Sequence, residues 1–170
     1  TTHMKYGAHI FLWQDRYDDD ALLRVLDSAA SLELSFLEVA IGDDIQFDAT
    51  TLGREATARN LQIVLSPGGE WPMPCDISLP NSAKEHPGLQ WHRRALDLCA
   101  AAGAVAYSGA IYGHPGCVER RRTSTQERQR IADSLIKLAE HAATEQIKLV
   151  LEPMSHFRSH VANTPQQINE

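Results

Sequence analysis

Apolar residues along this chain alternate between short continuous runs and longer amphipathic stretches. The continuous runs predict five β-strands, at residues 6–13, 36–41, 61–65, 104–112 and 147–151. Stretches with apolar residues at helical spacing predict helices at about 20–30, 50–60, 89–102 and 124–142, with a last helix beginning at Thr164-Pro165. Strands that alternate with helices along a chain are typical of an α/β fold with a parallel sheet.

The length of the chain bears on which α/β architecture is present. An open doubly wound sheet and a (β/α)8 barrel both fit the alternation. A barrel takes about 250 residues, or roughly 31 per unit, so 170 residues correspond to about five and a half units. Residues 1–4 are interpreted as the remnant of an expression tag ending in a start methionine, and residues 5–170 as a single domain.

The composition and net charge of the chain limit the kinds of molecule that it is expected to bind. The chain has 22 acidic and 16 basic side chains and a net charge of −6, which disfavours nucleic-acid binding. It has no run of about 18 apolar residues, so no membrane span is predicted. Three cysteines, Cys75, Cys99 and Cys117, match no metal-binding spacing and indicate reduced thiols in a cytoplasmic protein.

Polar side chains at the ends of strands are the candidates for chemistry, because both architectures bind ligands at the carboxyl edge of the sheet. Glu152 directly follows the fifth predicted strand. A carboxylate at this edge needs a partner, which a metal ion or a substrate hydroxyl would provide. The alternative is an ion pair with Arg158 or a helix N-cap contact.

The segment after the fifth strand carries the most specific motif in the chain, Leu151-Glu152-Pro153-Met154-Ser155-His156-Phe157, followed by Asn163-Thr164. It resembles the xylose isomerase-like TIM-barrel superfamily, in the sugar isomerase/epimerase branch that includes the D-tagatose and D-psicose 3-epimerases. The residues at 7–13, 37–39 and 109–116 also resemble that family. The resemblance implies a partial (β/α)8 TIM barrel with about five parallel strands, truncated after the fifth.

The resemblance also implies a chemistry. In the family a divalent cation (Mn²⁺, Mg²⁺ or Co²⁺) orients a ketose, and glutamates move its C3 proton through an enediolate. Glu152 corresponds to the first of these glutamates, as metal ligand and acid/base. The other metal ligands of the family come from strands six to eight, so the chain as given is expected to be inactive as an epimerase.

Four further residues are predicted to bind the sugar. His9 would line the pocket from the first strand, or else be a hydrogen-bonded core histidine. Trp13 would form an apolar wall or lie at the rim. Glu38 would bind substrate or pair with a basic neighbour. Arg158 would bind a substrate phosphate or carboxylate, or else pair with Glu152.

Two other hypotheses compete with a sugar isomerase. His114-Pro115-Gly116 resembles a zinc-binding motif of the endonuclease IV-type apurinic endonucleases, although Ser66 stands where those proteins have a histidine. The other hypothesis is that the chain is a non-catalytic, truncated scaffold. Its open edges would favour association, so we predict a homo-oligomer, most simply a dimer that covers the open barrel interior.

Overall fold

The computed structural model describes residues 4–170, so the interpretation of residues 1–3 as part of a tag lies outside the described residues. Strands and helices alternate along the chain. The strands are β1 Gly7–His9, β2 Phe36–Ala40, β3 Gln62–Ser66, β4 Ala106–Gly109 and β5 Lys148–Leu151. The helices are α1 Asp19–Ser31, α2 Ala49–Ala58, α3 Pro87–Ala101, α4 Thr125–Thr144 and α5 Pro165–Asn169, and short 3-10 helices lie at Ile10–Leu12 and Met73–Cys75.

The strands form one parallel sheet in the order of the sequence, β1-β2-β3-β4-β5. Connections between parallel neighbours are almost always right-handed, so a monotonic strand order places every helix on the same face. Contacts between α1 and α2, α2 and α3, and α3 and α4 agree with a single helical layer. The predicted α/β fold with five parallel strands is confirmed, and the doubly wound alternative, with helices on both faces, is wrong.

The two faces of the sheet differ in burial. Side chains that face the helices are fully or almost fully buried: Leu37, Val39, Ile63, Leu65 and Tyr107. Their neighbours on the other face are less covered: Phe36, Val64 and Ser108 are half-buried, and Val150 is 43% exposed. The face turned away from the helices, which we call the open face, therefore remains accessible. None of the helices between residues 4 and 170 combines the length and the apolar character that crossing a bilayer requires.

The first strand is shorter than its apolar run predicts. It ends at His9, whose ring Nδ1 accepts a hydrogen bond from the Phe11 amide at 3.1 Å and so caps the 3-10 helix. The turn leaves the Leu12 side chain 75% exposed. The predicted strand over residues 6–13 is corrected to Gly7–His9, because this local cap replaces strand pairing.

The fourth strand also ends early, at Gly109, where the backbone φ of +131° lies in a region that favours glycine. A Cβ at this position would approach the ring of Pro67 to 3.2 Å. The predicted strand over 104–112 is therefore corrected to Ala106–Gly109. Gly109 turns the chain at the carboxyl edge of the sheet and leaves open space there.

Helix α4 begins with a reciprocal capping box between Ser124 and Glu127, as the sequence predicts. Glu127 is only 5% exposed. Its carboxylate also accepts hydrogen bonds from the Arg121 guanidinium at 2.6 and 2.7 Å. The same carboxylate lies 3.4 Å from His160 Nε2. These bonds, Arg121 first, hold the pKa of Glu127 well below its usual range. Glu127 thus joins the loop after β4 and the loop after β5 to α4.

We expect Glu127→Ala to lower the free energy of unfolding by about 2 kcal/mol at pH 7, because it removes the helix cap and the partner of Arg121. Urea denaturation would measure this loss. Since the folded pKa of Glu127 is lowered, its stabilisation is complete above about pH 5 and declines as the pH falls below that value. The difference between wild type and variant should shrink in the same range.

The matched control is Glu140→Ala, which removes an exposed carboxylate from the same helix. It should change the free energy of unfolding by less than about 0.5 kcal/mol. Equal losses for the two variants would show that Glu127 is an ordinary surface residue.

Candidate functional site

A pocket of about 290 Å³ lies at the carboxyl edge of the sheet. It is lined by residues at or just after the ends of β1, β3, β4 and β5, and by Glu38 in the middle of β2. Its polar side chains are His9, Glu38, Ser66, Glu152 and Arg158, and its larger apolar side chains include Phe11 and Trp71. Ligand pockets usually have volumes of about 300 to 1,000 Å³, so this pocket suits a small molecule.

Of the five residues that the sequence singles out, the structure brings four together in this pocket: His9, Glu38, Glu152 and Arg158. Trp13 is not among the lining residues. It is half-buried and packs against the main hydrophobic core, because the 3-10 helix after His9 turns the chain before Trp13. The predicted role of Trp13 at a wall or rim stays a prediction, and the large aromatic side chain that lines this pocket is Trp71.

The backbone of Glu152 is fixed while its carboxylate is free. Its amide donates to the Gly109 carbonyl at 3.1 Å, and its carbonyl accepts from the Tyr112 hydroxyl at 2.7 Å. Over residues 4–170, neither the Glu152 carboxylate nor the Arg158 guanidinium has an ion-pair partner within 4 Å. The alternative ion pair between Glu152 and Arg158 is thus not formed. Both charges are available to a ligand.

His9 and Glu38 face each other from adjacent strands, at positions that pair in the register of β1 and β2. His9 Nε2 lies 3.9 Å from Glu38 Oε1 and 3.5 Å from Ser66 Oγ. Both ring nitrogens of His9 thus have a protein contact, of which the one at Nε2 is long, and the side chain is 32% exposed rather than part of the core. Glu38 has the basic neighbour that the sequence allows for, and it also lines the pocket.

Trp71 forms an apolar wall of the pocket, and other side chains pack against it and hold it in place. Its ring stacks on Trp91 with 5.3 Å between centroids, and Trp91 Nε1 donates to Asp43 at 2.9 Å. The carbonyl of Trp71 lies 2.9 Å from His114 Nε2. These contacts fix the long loop after β3 over the pocket. No local sequence signal could reveal them, because the partners are distant along the chain.

A fully buried histidine, His92, packs behind the same wall. Its ring lies edge-on to Trp71 and Trp91, and its Nδ1 is 2.8 Å from the Tyr107 hydroxyl. Burial lowers the pKa of His92 to about 3, so the ring is neutral at physiological pH. Among the described residues, its Nε2 has no hydrogen-bond partner. The wall thus rests on an uncharged imidazole ring.

His114 acts as a connection between two loops. Its Nδ1 accepts from the Gly116 amide at 2.8 Å, which leaves the ring proton on Nε2 to donate to the Trp71 carbonyl. The buried Asp76 carboxylate accepts from the His114 amide at 2.9 Å. Because both ring nitrogens are engaged, His114 offers no free lone pair for zinc. This geometry does not support the endonuclease IV-type hypothesis.

The described residues do not by themselves fit the divalent-cation site that the sequence resemblance implies. Across residues 4–170, no three His, Cys, Asp or Glu side chains are grouped as metal ligands. Mg²⁺ takes six oxygen ligands and is usually held by one or two carboxylates together with water and ligand oxygens. Glu152 would supply one ligand of such a site.

The family model described as xylose isomerase-like TIM barrel matches residues 26–170. Among curated proteins, the L-ribulose 3-epimerase of Methylomonas sp. (strain DH-1) is 24% identical over 165 residues, which cover 95% of this chain and 55% of that protein. The ketose 3-epimerase of Arthrobacter globiformis is 24% identical over 174 residues, covering 96% and 56%.

A solved structure agrees with these relatives. The D-allulose 3-epimerase from Methylomonas sp. in complex with D-allulose is similar over 98% of this chain and 57% of its own, with a TM-score of 0.86 and 22% identity. At that identity the likeness shows the fold. The chain spans about half the length of the curated relatives it matches.

We expect His114→Phe to lower the free energy of unfolding by about 1 kcal/mol, because the aromatic contact with Trp71 stays while two hydrogen bonds are lost. Urea denaturation followed by tryptophan fluorescence would measure the loss. Added zinc should not raise the stability of the wild type. Stabilisation by zinc that disappears in His114→Phe would contradict the connecting role and favour a zinc site.

Proposed function

Because the chain belongs to the xylose isomerase-like TIM barrel family, we propose that its pocket binds a ketose and that Glu152 moves a proton at the reacting carbon. One observation carries the proposal: the Glu152 carboxylate, at the end of β5, lines the pocket without a protein partner among the described residues. The Methylomonas structure holds D-allulose, which supports a ketose as the ligand class.

The chemistry follows from the charges in the pocket. A carboxylate removes a proton from the carbon next to a carbonyl, and negative charge then develops on the carbonyl oxygen. Arg158 is the cation in the same pocket and is available to offset that charge. Glu152 would return the proton to the same face of the carbon from which it came.

Glu152 is the one acid/base group that we place at the reacting carbon, because His9 and Glu38 come from β1 and β2 toward the other edge of the sheet. Inverting a carbon requires proton removal on one face and delivery on the other, which needs a second group. We therefore propose that the chain by itself binds a ketose without epimerising it. Dependence on Mn²⁺, Mg²⁺ or Co²⁺ stays a prediction, in which Glu152 would supply one ligand.

We expect the purified chain to bind D-allulose, and Glu152→Gln to weaken that binding about tenfold, because a charged acceptor is lost. Isothermal titration calorimetry would give the affinities. Prolonged incubation followed by chromatography should yield no C3 epimer. The control is Glu140→Gln on the surface of α4, which should leave the affinity unchanged.

Two results would count against this proposal in different ways. Equal affinities for wild type and Glu152→Gln would remove Glu152 from the site. Epimer formed by a preparation that contains only these 170 residues would refute the single-group argument.

The edges and the open face of the sheet support a further proposal, that two copies of the chain associate as a two-fold dimer. Within residues 4–170, β1 and β5 each pair with a single neighbouring strand, so each presents unpaired backbone groups. Val150 is 43% exposed on the open face, and Tyr6, beside β1, is 63% exposed. A second copy would cover these surfaces with the same patch on both partners.

We expect light scattering at micromolar concentration to give twice the monomer mass, and Val150→Lys to shift the population toward monomer by placing a charge in the contact. Ile136→Lys is the matched control, since Ile136 is a similarly exposed apolar residue on α4. A wild-type monomer, or an equal effect of both substitutions, would refute the dimer.

A further inference from the structure

We propose that His9, Glu38 and Ser66 form a hydroxyl-binding subsite, which selects a sugar with a free hydroxyl group at the end of the pocket remote from Glu152. The inference rests on the proposed function, in which the reacting carbon of a ketose lies at Glu152. The subsite adds a set of side chains of this protein that distinguishes one ketose from another.

The three side chains come from adjacent strands. His9 ends β1, Glu38 pairs with it across the β1–β2 register, and Ser66 ends β3. Glu152 follows β5, at the other edge of the sheet. All four line the same pocket. A ligand with its reacting carbon at Glu152 therefore extends toward β1 and β2 with the rest of its carbon chain.

The cap at the end of β1 fixes which hydrogen-bonding group His9 presents. The Phe11 amide donates to His9 Nδ1 at 3.1 Å, so Nδ1 keeps its lone pair. A neutral imidazole then carries its proton on Nε2, and Nε2 becomes a donor. His9 thus offers the pocket an N–H, while Glu38 offers carboxylate oxygens that only accept.

The protein itself satisfies this subsite only weakly. His9 Nε2 is 3.5 Å from Ser66 Oγ, a long hydrogen bond, and 3.9 Å from Glu38 Oε1, whereas the usual distance is 2.7 to 3.2 Å. Gly68 lies beside this site, where an added Cβ would come within 2.9 Å of Ala40 Cβ and 3.6 Å of His9 Nε2. Polar groups that converge with only one long contact between them keep hydrogen-bonding capacity for a third group.

A hydroxyl is the group that fits between a donor and an acceptor. It accepts from His9 Nε2–H and donates to Glu38, whereas a hydrogen or a methyl group can do neither. A phosphate at the same place would lie beside the Glu38 carboxylate and be repelled. The geometry therefore favours an unmodified sugar terminus over a deoxy or phosphorylated one.

The experiment compares three probes on the 170-residue chain by calorimetry: D-allulose, 6-deoxy-D-allulose and D-allulose 6-phosphate. The wild type should bind D-allulose about 10- to 100-fold more tightly than the deoxy sugar, as expected for a hydrogen bond to a charged group. In Glu38→Gln this preference should fall at least severalfold, and the 6-phosphate should bind more tightly than it does to the wild type.

The sharpest variant is His9→Asn. An asparagine oxygen can accept from the Phe11 amide and keep the cap, but the side chain is too short to replace Nε2. The ratio of the dissociation constants for the deoxy sugar and for D-allulose should therefore approach one, while the protein stays folded. His141→Asn is the control, because His141 pairs with Asp97 on the surface of α3 and α4.

The outcomes separate this inference from the proposed function. An unchanged preference in His9→Asn, with binding that still depends on Glu152, would overturn the subsite alone. Binding that depends on His9 and Glu38 but not on Glu152 would support the subsite and refute the proposed role of Glu152. No binding of D-allulose by the wild type would overturn both.

Discussion

The common direction of the five strands is the constraint on which the rest of the structure depends. Parallel pairing in sequence order places every helix on one face and every strand-end loop at one edge of the sheet. Residues that are distant along the chain are thereby gathered in space: Glu38 in β2 and Glu152 directly after β5, more than a hundred residues later, line one pocket. The strand topology, more than any single side chain, therefore gives this edge of the sheet its polar character.

The loops at this edge are held by polar contacts as well as by a small apolar cluster of Ile77, Tyr112, Ile131 and Ala162. Asp76 and His114 connect the loops after β3 and β4, and Glu127 connects the loops after β4 and β5 to α4. The Tyr112 hydroxyl lies within hydrogen-bond distance of the carbonyls of Glu152 and Ala162. Each contact satisfies a buried or half-buried polar group, so the loops are fixed without closing the pocket.

Sequence reasoning predicts what depends on local pattern. Strand and helix positions follow from periodicity and caps, and Glu152 is predictable because a carboxylate directly follows an apolar run. Trp13 does not line the pocket because the cap at His9 bends the chain, and a cap by a histidine ring carries no strong sequence signal. Trp71 could not be predicted as a pocket wall, since its partners Trp91 and His114 are brought to it only by the tertiary fold.

The order of the strands also governs how such a chain can acquire its structure during synthesis. Each strand pairs with the one that preceded it along the chain, so β2 can dock on β1 before β4 and β5 have left the ribosome. Pairings of modest sequence separation close at a lower entropic cost than distant ones. The sheet can therefore grow by addition at a single advancing edge, and β5, made after the other four strands, is the one that brings Glu152 to the pocket.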